Sequence, residues 1–130
     1  MAKKQLIVSK LCKTFDLGVN ENLFGGRMLE WLDEAGGIYA YKQLRGHVAT
    51  VKVSEVVFKV PVHERDVSDI MGTVKDVGNT SITIEMDAVN TTSSALVCSC
   101  EIKYVNMNSK NEAIPIADDA RARIKREFGL

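Results

Sequence analysis

The spacing of apolar residues changes once along this chain, and that change limits the folds open to it. The apolar residues first recur at intervals of three and four, which predicts one amphipathic helix that ends near Gln43. Beyond Gly46 they tend to recur at every second position, which predicts β-strands. One long helix packed against a sheet is an α+β layer arrangement. The predicted apolar stripe of the helix consists of Phe24, Met28, Trp31, Leu32, Ala35, Ile38 and Tyr39.

Four long strands are predicted after the helix. In the first, the run Val56-Val57-Phe58 breaks the alternation and indicates a bulge. The second runs from Val67 to Val77, and Gly78-Asn79 predicts a tight hairpin turn before the third. The first, third and fourth strands each have one apolar face, formed respectively by Val51, Val53 and Val57; by Ile82, Ile84, Met86 and Ala88; and by Leu96, Cys98, Cys100, Ile102 and Tyr104.

Short elements are predicted at the two ends of the chain. Leu6-Ile7-Val8 is a strand candidate, and residues 118–128 have the charge pattern of a short helix followed by the capping glycine Gly129. The 130 residues therefore form one domain, residues 1–130, by this prediction. A sheet against a single helix leaves its edge strands and one face uncovered, and dimerisation is an economical way to cover them.

Composition excludes several classes of partner. Lysine plus arginine and aspartate plus glutamate both total 17, so no net charge attracts nucleic acid or an anionic membrane. Cys12, Cys98 and Cys100 contain no C-x-x-C pair, and we interpret them as small buried apolar residues rather than metal ligands or a disulfide. After Met1-Ala2-Lys3-Lys4 no apolar stretch is long enough for a signal peptide or a membrane helix, so a cytosolic location is predicted.

The segment from Asn20 to Gly37 carries the candidate chemistry. Gly25-Gly26 falls at the first turn of the helix, where backbone N–H groups are free and the helix dipole is positive. Such a site can hold a thioester carbonyl and stabilise the oxyanion that forms when it is attacked. The glycines equally suit a close crossing of a strand, and the local sequence does not decide between the two.

Asp33 lies on nearly the same helix face as these glycines, next to the apolar stripe. This is an unfavourable place for a solvated charge. Gly37, one turn further on, would clear a groove beside the carboxylate. The alternative is a surface acid, with Gly36 and Gly37 serving helix packing. Because Gly25 and Asp33 are about 12 Å apart along a helix, both can act on one thioester only if they come from two antiparallel helices, as in a two-fold dimer.

Two motifs of this segment match a known family. Asn20-x-Asn22-x-Phe24-Gly25-Gly26 followed by Asp33-Glu34-Ala35-Gly36-Gly37 resembles the motif of small cytosolic acyl-CoA thioesterases with the hot-dog fold. The resemblance extends over roughly residues 16–107, through the segments His47-Val48-Ala49-Thr50-Val51-Lys52-Val53, Phe58 with Pro61, Asp66-Val67 and Val77-Gly78-Asn79-Thr80-Ser81-Ile82.

The resemblance implies a hot-dog fold, a sheet curled around one long helix, and an acyl-CoA thioesterase of lipid metabolism. Asp33 is then the catalytic carboxylate, as general base or nucleophile. Asn20, from the opposite subunit, orients water or substrate, and the N–H of Gly25 or Gly26 contacts the oxyanion. Thr50 is expected to hydrogen-bond at this site. Dimers with a continuous sheet, commonly assembled into hexamers, are implied, whereas no cofactor or metal is expected.

The phosphates of CoA require basic or polar groups at the mouth of the groove. Candidates are Arg45, Lys59, Arg65, Lys75 and the turn Asn79, Thr80 and Ser81, although each also suits a solvated surface. The chain departs from the family at Glu21 and Arg65, where the family often has glycine. It also departs at Arg27, where an aromatic or small residue is frequent. These departures affect the expected substrate more than the expected reaction.

Two other functions remain open. A hot-dog hydratase or dehydratase pairs a carboxylate with a histidine, but His47 and His63 both lie outside the helix. A non-catalytic acyl-CoA sensor is often attached to a DNA-binding helical segment, and no basic recognition helix is predicted here. A serine hydrolase lacks support because the chain has no G-x-S-x-G motif.

Overall fold

The computed structural model describes residues 3–130; Met1 and Ala2, which the single-domain prediction includes, lie outside the described residues. The predicted order of one strand, a long helix, four long strands and a short helix is confirmed. The elements are β1 (Gln5–Leu11), a single turn of 3-10 helix (Thr14–Asp16), α1 (Gly25–Leu44), β2 (Val48–Phe58), β3 (Val67–Val77), β4 (Ser81–Asn90), β5 (Leu96–Asn106) and α2 (Asp118–Phe128).

The five strands form one antiparallel sheet in the order β1-β3-β4-β5-β2. The strands β1 and β2 are its edges, and α1 contacts all five strands. The short helix α2 packs on β3 and on α1. One central helix against one antiparallel sheet is the arrangement that the resemblance implies.

The core lies between α1 and the sheet face that the alternating pattern predicts for β4 and β5. The prediction is wrong for β2, where Val51, Val53 and Val57 are 43–54% exposed because β2 is an edge of the sheet, and Val48 and Val56 pack on the core instead. The stripe of α1 is correct at Met28, Trp31, Leu32, Ala35 and Tyr39, which are all buried. It is wrong at Phe24 and Ile38, whose side chains are 59% and 44% exposed. Phe24 is the N-cap residue and lies outside the helix, and the buried stripe continues through Gly36 and Ala40 instead of Ile38.

Two predicted irregularities are present. The pairing of β2 with β5 shifts between Ser54 and Val57, where Glu55 has a φ of 54°, so the predicted bulge is confirmed. The helix α2 ends at Gly129, whose φ of 67° is the left-handed cap conformation that glycine adopts without steric cost.

All three cysteines are buried and free, which confirms their interpretation as core residues. Burial raises the pKa of Cys98 to about 11 and that of Cys100 to about 12, so both thiols stay protonated and unreactive at neutral pH. Within residues 3–130, no cluster of three or more His, Cys, Asp or Glu side chains could hold a metal ion. No helix in that range is long and apolar enough to cross a membrane.

Candidate active site

Asp33 lies half-buried in the middle of α1 and receives hydrogen bonds from two hydroxyl groups. Thr50 Oγ1, on β2, donates to Asp33 Oδ1 over 2.7 Å. Tyr104 Oη, on β5, lies 2.9 Å from the backbone oxygen of Asp33 and 3.3 Å from Oδ1. Thr50 and Tyr104 are directly paired across β2 and β5, so the sheet presents both hydroxyls to the same carboxylate.

The sequence does not identify Tyr104 and Gly36 as residues of the site. Tyr104 was predicted only as a core residue, and its side chain is indeed 1% exposed. A Cβ at Gly36 would lie 2.3 Å from Tyr104 Oη and 2.7 Å from Met86 Cε, so a side chain at position 36 would displace both. The available signal was the tyrosine itself, because a buried tyrosine hydroxyl usually requires a partner.

The hydroxyl of Tyr104 keeps its proton at neutral pH and can donate it in a hydrogen bond. Burial, followed by the charge of Asp33 and the hydrogen bond with it, raises the pKa of Tyr104 far above its ordinary value. Hydrogen bonds from hydroxyls to an ionised carboxylate are stronger than bonds between neutral groups. The two donors therefore hold Asp33 Oδ1 in place.

The N-terminus of α1 forms a second cluster. The backbone oxygen of Phe24 accepts hydrogen bonds from the N–H groups of Arg27 at 2.9 Å and Met28 at 3.2 Å. Gly25 and Gly26 occupy the first two helical positions, and N–H groups there have no intrahelical acceptor. The ring of Phe24 lies close to Gly26, since a Cβ at that glycine would be 2.6 Å from Phe24 Cε2.

A groove of about 420 Å³ runs beside this helix end. Asn20 and Gly25 line it together with mainly apolar side chains that include Met28, Phe58 and Val60. Asn20 belongs to the exposed loop before α1. Asp33 is not part of this groove, because it lies about two helical turns further along α1. One chain thus brings Asn20 to Gly25, and separately Asp33 to Thr50 and Tyr104.

The other predicted binding residues lie at both ends of the sheet. Gly37 is half-buried, and a Cβ there would meet Tyr104 Cε1 at an ordinary 3.7 Å, so position 36 rather than 37 controls the space beside Asp33. Arg65 is exposed in the loop between β2 and β3, near the groove end of the sheet, and its N–H donates to the backbone oxygen of Cys12 over 2.7 Å.

The turn of Asn79, Thr80 and Ser81 lies at the opposite end, next to β5. The backbone oxygen of Thr80 accepts from the N–H of Asn106 at 2.8 Å, and Arg121 Nη2 of α2 donates to the backbone oxygen of Asn79 over 3.2 Å. This turn is therefore held through its own backbone oxygens. Any role of these residues or of Arg65 in substrate binding stays a prediction.

Known proteins resemble the chain in sequence. An uncharacterized acyl-CoA thioester hydrolase of Buchnera aphidicola is 33% identical over 85 residues, which make up 65% of this chain and 63% of that protein. The chain spans 61–63% of the length of the two Buchnera relatives that it matches.

Solved structures share the fold. A hexameric hotdog fold thioesterase of Campylobacter jejuni has a TM-score of 0.83 and 28% identity, with 96% of each chain covered. A hexameric broad specificity acyl-coenzyme A thioesterase has a TM-score of 0.87 and 23% identity, covering 98% of this chain and 97% of that one. The predicted hot-dog fold is confirmed.

The family model of the Thioesterase superfamily matches residues 20–103. The match is well over half of the chain. It begins at Asn20 and includes the helix N-terminus, Asp33 and Thr50. With the hot-dog fold already established, the extent of this match shows that the chain belongs to the thioesterase superfamily.

Proposed function

We propose that this chain hydrolyses acyl-CoA thioesters to free CoA and a carboxylic acid, with Asp33 as the catalytic carboxylate. The observation that carries the proposal is the pattern of hydrogen bonds to the two oxygens of that carboxylate. Of the two carboxylate oxygens of Asp33, only Oδ1 receives hydrogen bonds from residues 3–130, and the donors are Thr50 and Tyr104. A carboxylate held by one oxygen keeps the other for reaction. The superfamily and the names of the relatives support the substrate class.

Hydrolysis by such a site needs no group beyond the chain itself. Asp33 takes a proton from a water molecule whose oxygen bonds to the thioester carbon, while the N–H of Gly25 or Gly26 stabilises the oxyanion. The carbonyl re-forms, the carbon–sulfur bond breaks, and the CoA sulfur takes the proton. As a nucleophile, Asp33 instead bonds to the carbonyl carbon and expels CoA, and water then hydrolyses the mixed anhydride. Both routes regenerate Asp33.

The site is shared between two subunits in this proposal. Gly25 and Asp33 of one chain are about 12 Å apart along α1, which is too far for one thioester group. The edge strand β2 has exposed apolar side chains at Val51, Val53 and Phe58. Two such strands paired around a two-fold axis run antiparallel, so the Asp33 end of one chain faces the Gly25 end of its partner.

The same dimer is the unit of the proposed assembly. The structural relatives are described as hexameric thioesterases, and we propose a hexamer built as a trimer of dimers. In the shared site Asn20 comes from the subunit that supplies Gly25, because both line one groove. Gly37, Thr50, Arg65 and the turn at residues 79–81 are proposed substrate contacts. A cytosolic location stays a prediction.

Removing the charge of Asp33 tests the proposal. We expect Asp33→Asn to lower the turnover of every hydrolysed acyl-CoA by about a thousandfold or more, because the amide can neither accept the proton nor attack the carbonyl. Free thiol release is measured on acyl-CoAs from acetyl-CoA to palmitoyl-CoA. Circular dichroism and CoA-binding calorimetry check that fold and binding persist.

The neighbouring acid supplies a matched control. Glu34 is exposed and, among the residues that the structure describes, its carboxylate pairs with Lys10 alone, at 3.2 Å, so Glu34→Gln should keep wild-type turnover. Unchanged turnover in Asp33→Asn would remove Asp33 from its proposed role. Tight acyl-CoA binding without turnover in the wild type would indicate a sensor, and consumption of an enoyl-CoA double bond would indicate a hydratase.

A further inference from the structure

We propose that Tyr104 is a positioning residue for Asp33. We also propose that position 36 is a glycine because any larger residue would keep the Tyr104 hydroxyl away from Asp33. The inference rests on the proposed function and deepens it. It explains how one chain keeps a single oxygen of Asp33 available for reaction. It concerns the geometry of the carboxylate, since Tyr104 is buried and has no access to a substrate.

The hydroxyl of Tyr104 contacts both the backbone and the side chain of Asp33. The hydroxyl has one proton and lies 2.9 Å from Asp33 O and 3.3 Å from Asp33 Oδ1. Bridging these two oxygens restricts rotation about the Cα–Cβ bond of Asp33. Thr50 Oγ1 approaches the same Oδ1 from the adjacent strand at 2.7 Å. Two donors converge on Oδ1, and Oδ2 accepts no hydrogen bond from residues 3–130.

The glycine at position 36, which leaves space for the Tyr104 hydroxyl, lowers the stability of helix α1. Glycine inside a helix is destabilising by roughly 1 kcal/mol relative to alanine. At Gly36, an alanine Cβ would lie 2.3 Å from Tyr104 Oη, closer than two such atoms can approach. The helix is therefore compatible with the tyrosine contact only when position 36 has no side chain. Nothing comparable applies at Gly37, where the nearest atom is 3.7 Å away.

The test compares two buried tyrosines, Tyr104 of β5 and Tyr39 of α1. Tyr104→Phe removes the hydroxyl beside Asp33. Tyr39→Phe, the control, removes a hydroxyl that donates to Gln5 Oε1 of β1 over 3.0 Å instead of to Asp33. Steady-state kinetics on the best acyl-CoA substrate give kcat and KM, and thermal unfolding gives the loss of stability in each variant.

We expect Tyr104→Phe to lower kcat by about ten- to a hundredfold, the factor that the loss of one hydrogen bond to a charged group corresponds to. KM should stay within about twofold, because uniform substrate binding is not altered. Tyr39→Phe should lose comparable thermal stability and keep wild-type kcat. A Tyr104→Phe enzyme with the kcat of the control overturns the inference and leaves the proposed function intact, provided that the wild type is active and Asp33→Asn is not.

A second variant keeps the hydroxyl but displaces it. Gly36→Ala should lower kcat in the wild-type background, where its Cβ displaces the Tyr104 hydroxyl. It should lower kcat less in the Tyr104→Phe background, where the hydroxyl is already gone and only the clash with the flexible end of Met86 remains. Equal losses in the two backgrounds would show that the alanine acts by another route, which also overturns the inference. A wild type inert on every acyl-CoA overturns the proposed function, and this inference with it.

Discussion

Two residues near the N-terminal end of α1 have backbones that suit glycine better than the residues present. Glu21 has a φ of 60° and Arg65 a φ of 74°, both in the left-handed region. These are the positions at which the resembled thioesterases often have glycine. A non-glycine residue in this conformation costs about 1 to 2 kcal/mol. The departures at Glu21 and Arg65, which are expected to affect the substrate more than the reaction, thus also store backbone strain.

Arg65→Gly should stabilise the protein. Relief of strain outweighs the extra unfolded-state entropy of glycine, which is about 0.5 to 1 kcal/mol, so the net gain is about 0.5 to 1 kcal/mol. For a chain of this size, that raises the melting temperature by roughly 2 to 4 °C. Scanning calorimetry measures it. The hydrogen bond from the residue 65 N–H to Cys12 is kept.

Arg65→Ala is the control for that substitution. It removes the guanidinium but keeps a Cβ, so it should not gain stability, and equal melting temperatures for the two variants would contradict the strain argument. If Arg65 binds a CoA phosphate, both variants should raise KM by the same factor. An unchanged KM in both would remove Arg65 from the proposed substrate contacts.

At the scale of elements, one ion pair joins the loop that carries Asn20 to helix α1. Asp16 is 3% exposed, and its Oδ2 accepts from the N–H of Lys13 over 2.8 Å. Arg27 Nε lies 3.2 Å from Asp16 Oδ1 without the alignment of a good hydrogen bond, so the contact is mainly an ion pair. The N–H of Phe24 also donates to the backbone oxygen of Asp16 over 3.0 Å. These contacts close the base of the loop.

Arg27→Met should therefore destabilise the protein by about 1 to 3 kcal/mol. Removing one partner of a fully buried pair costs about 3 to 5 kcal/mol, and the Arg27 side chain is 33% exposed, which reduces the cost. Urea denaturation measures the change in free energy of unfolding. Glu30→Gln, the control, removes only the exposed partner of Arg27 and should change stability by less than about 0.5 kcal/mol. Similar losses in both variants would contradict a special role for Asp16.

At the scale of the whole molecule, the separation of Asp33 from Asn20 and Gly25 predicts complementation between subunits. Asp33→Asn and Asn20→Ala should each be impaired alone. A mixed dimer has one site with both wild-type residues and one site that lacks both. Random mixing of equal amounts makes half of the dimers mixed, and each of these has one of its two sites intact. About a quarter of wild-type activity should therefore be restored.

The complementation is measured on the whole refolded population, after equal amounts of the two variants are unfolded together and refolded. Different tags on the two variants show whether both are present in one oligomer. Refolded oligomers that contain both variants and recover no activity would count against a shared site. Activity recovered without mixed species would point to residual turnover in one variant, which the unmixed samples quantify.

The sequence alone determined the elements and the principal candidate residue. The change from helical to alternating spacing predicts the order of helix and strands, because the backbone geometry of each element fixes which residues share a face. The break at Val56-Val57-Phe58 predicts the bulge of β2 for the same reason. Asp33 lies beside the apolar stripe, which is unfavourable for a charge, but its choice over a surface acid came from the resemblance of its motif to that of the thioesterases.

The resemblance already pointed to Thr50 beside Asp33, but only the tertiary structure decided that Tyr104 and Gly36 adjoin it as well. Periodicity gives the face of a strand but not the residue opposite it, so Tyr104 was predicted as core, although its hydroxyl contacts a residue 71 positions away. The role of Gly36 depends on that contact and could not be separated from the role of Gly37 beforehand. The pair of Asp16 and Arg27 likewise joins a loop to a helix. Such contacts depend on how elements pack, which no local pattern encodes.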